Sequence, residues 1–175
     1  MRYLFFVTLL AIIAGCQSRL PPIALAEQVD IPRFMGNWYV IAHIPLAPER
    51  HAWNGIERYQ LNADGSIATT FTFRKGDADG PLKRYTPVAQ VTDHPSNAVW
   101  KMQFLWPFQA DFRIIWLDEN YQTTIIGRQK RDYVWIMARS PTIDPQLYQQ
   151  LADFIKQQGY DISQLRQVPQ QWPAQ

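Results

Sequence analysis

Residues 67–74 read IATTFTFR, and their alternation decides the fold. Ile67, Thr69, Phe71 and Phe73 fall on one face, while Ala68, Thr70, Thr72 and Arg74 fall on the other. A period of two, rich in β-branched and aromatic side chains, marks a strand with one buried face. Asn62-Ala63-Asp64-Gly65 precedes the run, and Asp-Gly favours a tight hairpin turn. The segment GDADGP over 76–81 breaks it on the far side.

Runs of the same kind extend in both directions. Upstream lie Trp38 to Ile44, ended by Pro45, and Ile56 to Leu61, with a polar, proline-broken loop over 46–53 between them. Downstream, Lys83 to Val91 forms a run weakened by Pro87. Next, Trp100, Met102, Phe104 and Trp106 alternate with Val99, Lys101, Gln103 and Leu105. Phe112 to Leu117, Thr123 to Arg128 and Tyr133 to Arg139 complete the set. Eight strands joined by short connections predict an all-β, up-and-down antiparallel barrel. One helix follows them: Asp144 supplies an N-cap, Pro145 the first position, Leu147, Leu151, Phe154 and Ile155 an apolar stripe, and Gly159 a stop. Strands followed by one amphipathic helix predict a C-terminal helix laid on the barrel wall, not βαβ units.

The N-terminus carries a separate signal. Arg2 precedes an apolar run from Tyr3 to Ala14, too short to span a bilayer, which takes about 20 residues. Ile13-Ala14-Gly15-Cys16 resembles a bacterial lipobox, which implies cleavage before Cys16 and its acylation with chains such as palmitate. Several acyl chains on one residue give stable membrane attachment. Gln17, rather than Asp, follows the cysteine, and by resemblance to Gram-negative lipoproteins this implies sorting to the outer membrane. The expected organisation is therefore a leader over 1–15, a lipidated tether over 16–30 and a single domain over 31–175.

Composition narrows the function. Cys16 is the only cysteine, so neither an internal disulfide nor a multi-thiolate metal site can form. A net charge of +2 gives no basis for nucleic-acid binding. His43, His51 and His94 match no metal-ligand spacing, and Ser66 and Ser96 lack a nucleophile-elbow context. Asp77 and Asp79 sit in a glycine-flanked turn. With no phosphate-binding glycine loop either, no cofactor, no metal and no catalytic residue is expected. Seven tryptophans and an aromatic share of 14% suit strands around an apolar ligand.

Gly36-Asn37-Trp38-Tyr39 at the first strand resembles the G-x-W signature of the lipocalin family. Asp118 with Tyr121, between strands six and seven, and Arg139, ending strand eight, resemble its second and third motifs. The segment RDYVWIMARSPTI over 131–143 is similar to the bacterial lipoprotein branch of that family, and the likeness spans about residues 30–170. The resemblance implies a binding protein, with Gly36, Trp38, Asp118, Tyr121 and Arg139 forming the barrel floor. Counting alternating strand directions puts all three motifs at one end, independently of the resemblance. The mouth then comprises the loops over 46–53, 74–82, 106–110 and 128–132.

An eight-stranded barrel is either filled by its own side chains or holds one small ligand. If Trp38 points inward, a period of two sends Val40 and Ala42 inward too. Tyr59, Phe71, Phe73, Trp100, Met102 and Phe104 are expected along the wall, as are Phe112, Ile114, Trp116, Tyr133 and Trp135. No inward run shows clustered carboxylates, so the expected ligand is lipophilic: a fatty acid, a lysophospholipid or a similar molecule. Arg50, Arg74, Lys75, Lys83, Arg128, Lys130 and Arg131 give the mouth loops a modest basic excess. The leading expectation is a membrane-anchored carrier, for storage or transport. A lipid-modifying enzyme on the same scaffold and an envelope interaction lipoprotein with a filled barrel are the alternatives, and homodimer formation is left open.

Overall fold

The computed structural model describes residues 20–172, so the expected leader and Cys16 lie outside the described residues. The barrel begins with β1 (Gly36–Ile44), β2 (Ala52–Leu61), β3 (Ile67–Lys75), β4 (Leu82–Tyr85) and β5 (Val88–Val91). It continues through β6 (Val99–Leu105), β7 (Phe108–Leu117), β8 (Thr123–Gly127) and β9 (Val134–Ala138). β9 pairs antiparallel with β1 and closes the cylinder. β4 and β5 are two halves of the single strand expected over 83–91. The break falls at Pro87, which has no N–H for the ladder, although its carbonyl still accepts from Thr69 N at 3.0 Å. The wall is thus the expected eight-stranded antiparallel barrel. β10 (Arg166–Gln167) extends it by pairing with Ala42 and His43.

Two connections differ from expectation. The loop over 106–110 contracts to a turn at Trp106-Pro107, because Leu105 already pairs with Phe108. The tether over 16–30 is not free along its length. Ala26 N donates to the Ile114 carbonyl at 2.9 Å and Val29 N to the Ser96 carbonyl at 2.8 Å, while Ile23 and Val29 are buried. Apolar side chains in this short segment have no period, which hid their burial. The segment leads into α1 (Ile31–Phe34), where the Asp30 side chain accepts from Arg33 N at 3.1 Å and Phe34 is fully buried.

α2 (Pro145–Gln157) lies on the outer wall. Asp144 accepts from Gln146 N and Leu147 N, and Gly159 follows the helix at φ +90. Leu151 and Ile155 bury against Ile41, Ala42, Ile44, Ile115, Ile125 and Ile136. Each such side chain contributes roughly 1.5–3 kcal/mol. One core therefore fills the barrel and a second lies between wall and helix, which is why β8 and β9 are buried on both faces.

Two β-bulges set what faces inward. In β1, Val40 pairs with Met137 but Ala42 with Ile136, so one extra residue is accommodated. Val40 joins the barrel interior, Ala42 turns out beneath α2, and His43 faces in beside its partner Trp135. In β7, Ile114 pairs with Ile126 but Trp116 with Ile125. Ile114 points inward, and Trp116 packs on the outer layer. Ala42 and Trp116, both expected inside, are therefore outside, since one inserted residue reverses the parity of every later residue in its strand.

Candidate functional site

One end of the barrel is sealed. The Trp38 indole donates to the Phe34 carbonyl at 2.9 Å, tying the first wall strand to α1. The Arg139 guanidinium lies 3.7 Å from the centroid of the Trp38 ring. It also donates to the carbonyls of Asn37 (2.8 Å), Arg33 (3.0 Å), Phe34 (3.1 Å) and Tyr121 (3.3 Å). Gly36, at φ +99, leaves room for this side chain, since a Cβ there would stand 3.2 Å from Arg139 Nη1. Asp118 holds the β7–β8 turn by accepting from Gln122 N (2.7 Å), Thr123 N (2.6 Å) and Asn120 N (3.1 Å). Tyr121, also in this turn, has its hydroxyl accepting from Asp30 N at 2.8 Å, while Arg33 stacks 4.1 Å over its ring. Gly36, Trp38, Asp118, Tyr121 and Arg139 thus meet at one end.

The other end opens into a cavity of about 190 Å³. A cavity of about 150 Å³ suffices to admit benzene, so this one takes a ring or a stretch of alkyl chain. Of the expected lining residues, Phe71, Met102, Phe104, Phe112, Tyr133 and Trp135 form its wall. Val40, Tyr59, Trp100 and Ile114 point into the same interior but belong to the packed core below it, while Phe73, one step nearer the mouth than Phe71, is buried 5.1 Å from the Phe71 ring and outside the cavity wall. That core is aromatic: Trp100 stacks on Phe112 at 5.0 Å, and Tyr59 meets Trp100 edge-on at 5.6 Å.

The cavity also holds charges. Glu49, Glu57, Asp111 and Arg128 line it, with Leu46, Pro48, Tyr85 and Ala110. None of these residues was expected there as lining, and the expectation of no clustered inward carboxylates is corrected by Glu49, Glu57 and Asp111. Glu57 could have been found, because it shares the face of Tyr59 two residues on. Glu49 could not: it sits in a single 3-10 turn (Ala47–Glu49) after β1 that carries no period. Glu57 is buried, and burial, followed by the nearby negative Glu49, pushes its carboxyl well above the usual carboxylate range. Tyr133 is raised in the same way, first by burial and then by Glu49 and Glu57. The His43 ring stands 3.7 Å from Glu49, beyond hydrogen-bond distance.

The rim carries exposed aromatics and the point where the chain enters. Trp106 is 81% exposed and Phe108 is 73% exposed, at the tip of the β6–β7 hairpin. At the 128–132 loop, Gln129 donates to the carbonyl of Pro21 at 3.0 Å and Arg131 to the same carbonyl at 2.7 Å. Leu20 therefore lies beside the mouth, not beside the floor.

Residues 29–170 match the model of the lipocalin-like domain. The chain is 31% identical to the outer membrane lipoprotein Blc of Citrobacter freundii, over 94% of this chain and 93% of that protein. It is 29% identical to mouse apolipoprotein D, over 87% of this chain and 83% of that protein. Among solved structures, insecticyanin from the tobacco hornworm superposes with a TM-score of 0.65 at 14% identity, covering 85% of this chain and 84% of that one.

Proposed function

The chain belongs to the lipocalin family, and from that premise we propose that it is an outer-membrane lipoprotein, anchored through acylated Cys16, that stores or carries a small lipophilic molecule in its barrel. The observation that carries this reading is the cavity: closed below by the Trp38–Arg139 seal, open above, and walled mainly by apolar and aromatic side chains. Such a site gains about 0.8 kcal/mol for each methylene it buries, before ordering costs. A fatty acyl or lysophospholipid chain fits that chemistry.

The anchor and the mouth share one side of the molecule in this reading. Cys16 lies four residues before Leu20, a reach of at most about 14 Å. An acylated Cys16 thus keeps the mouth near the bilayer, with Trp106 and Phe108 on the same rim. Aromatic side chains with an apolar body suit the membrane interface.

The test is uptake of the neutral fluorescent probe N-phenyl-1-naphthylamine by the purified Cys16→Ser chain, followed by its displacement with long-chain lipids. Saturable, displaceable binding supports the carrier. Absence of uptake, with the barrel intact by circular dichroism, overturns it.

A further inference from the structure

The two carboxyl groups that line the cavity, Glu49 and Glu57, do not suit the carboxylate head that an ordinary fatty acid brings. Glu57 is 3% exposed, and its Oε2 has no protein partner; Glu49 Oε2 is likewise buried without one. Natural interiors pair nearly all such atoms, because an unpaired one forfeits its hydration. Of the other two charged liners, Asp111 is occupied elsewhere, accepting from Arg113 Nε at 2.9 Å and from Gln129 N at 2.8 Å. Arg128 faces Asp132 through Nη1 at 3.5 Å, while its Nε is buried without a partner. Neither the Glu49 nor the Glu57 carboxyl hydrogen-bonds a cation, and His43 Nδ1 stands 3.7 Å from Glu49 Oε2.

We propose that the barrel selects an amphiphile with a positively charged, hydrogen-bond-donating head, a primary ammonium on an alkyl or acyl chain, seated at Glu49 and Glu57. An ammonium supplies three donors and one positive charge, matching acceptors that lack both. The walls suit it as well. Tyr133 and Trp135 lie 5.3 Å apart, with Phe71 4.7 Å from Trp135, and aromatic faces attract a cation. A carboxylate in the same place meets like charge. The raised Glu57 pKa agrees with this reading, as it reports a carboxyl held without a counter-charge. The basic excess of the mouth loops, which alone favours an anionic head, lies outside this pair.

The proposal rests on the cavity binding a ligand at all, and one experiment separates the two. Dodecylammonium, dodecanol and dodecanoate are each used to displace N-phenyl-1-naphthylamine from the purified Cys16→Ser chain. Dodecylammonium is expected to act at concentrations lower than dodecanoate by at least about tenfold, the usual worth of a charge-assisted hydrogen bond. Glu57→Gln and Glu49→Gln are each expected to bring that ratio to within about threefold. Dodecanoate binding as tightly as dodecylammonium overturns the ammonium site and leaves the carrier standing, as does a ratio that survives both substitutions. Failure of the dye and of dodecanol to bind overturns both. If either variant fails to fold, the ratio in the unsubstituted cavity decides.

Discussion

Arg139, one residue beyond the last wall strand, holds its guanidinium 3.7 Å from the ring centroid of Trp38 in the first. The two residues thus bolt the ends of the sheet together where β1 and β9 close the cylinder. The planar fork matters more than the charge, since it donates to four carbonyls from α1, β1 and the β7–β8 turn. Arg139→Lys keeps a cation but cannot span those acceptors. It is expected to lose about 1–3 kcal/mol, read as a lower urea midpoint at unchanged slope. Gly36→Ala should reproduce part of that loss, because it adds strain at φ +99 and crowds the same side chain. A midpoint unaltered by Arg139→Lys removes the seal from the account.

Glu57 gives the pH dependence its sign. Its folded pKa is raised by burial and then by Glu49, so the folded state holds this proton more tightly than the unfolded chain does. The cost of ionising it is absent below the ordinary carboxylate value, grows as pH rises toward the raised value and is then constant. Glu57→Gln removes the cost. The variant should match the parent near pH 4 and exceed it increasingly toward neutral pH, with a difference whose slope stays under about 1.4 kcal/mol per pH unit for one proton. Thermal midpoints of the two proteins across pH 4–8 give the measurement, and parallel curves contradict the assignment.

The barrel was legible in sequence because period-two runs and turn residues are local. Ile67 to Phe73 keep one face inward, as their alternation implies, and Asp144-Pro145 starts the helix as its capping chemistry implies. What escaped was parity after a bulge. The extra residues at Val40–Ala42 and Ile114–Trp116 leave no mark in composition, since both faces of β1 and β7 are apolar where α2 covers the wall. With both faces apolar, alternation carries no information. His43 and Glu49 escaped for the same reason: one follows a bulge, and the other lies in an aperiodic turn.

Two tryptophan substitutions read that parity directly. Ala110 lines the cavity and is only partly buried, so Ala110→Trp should block the mouth, abolish dye uptake and cost little stability. Ala42 is fully buried between wall and helix. Ala42→Trp should therefore overfill that layer and destabilise the protein by about 1–3 kcal/mol or more, leaving the cavity open in whatever fraction stays folded. Dye titration and denaturant unfolding of both variants distinguish the two faces. Blocked uptake with unchanged stability in Ala42→Trp places Ala42 inside the barrel after all.

In the proposed carrier, anchoring and loading fall on different residues and can be tested separately. Cys16→Ser should move the protein from the membrane fraction to the soluble fraction of the cell envelope, because the proposed anchor is the acylated cysteine. Trp106 and Phe108 sit on the rim and outside the cavity wall, so their removal leaves the binding site untouched. Trp106→Ser with Phe108→Ser should keep the affinity for dye in water but slow the transfer of a fluorescent lysolipid from phosphatidylglycerol–phosphatidylethanolamine vesicles, by about tenfold if two buried aromatics give the contact its strength. Stopped-flow transfer compared with equilibrium titration resolves the two. Unchanged transfer together with unchanged affinity rules the rim aromatics out of loading, since a mouth held against lipid must lose contact area when its most exposed apolar side chains are cut away.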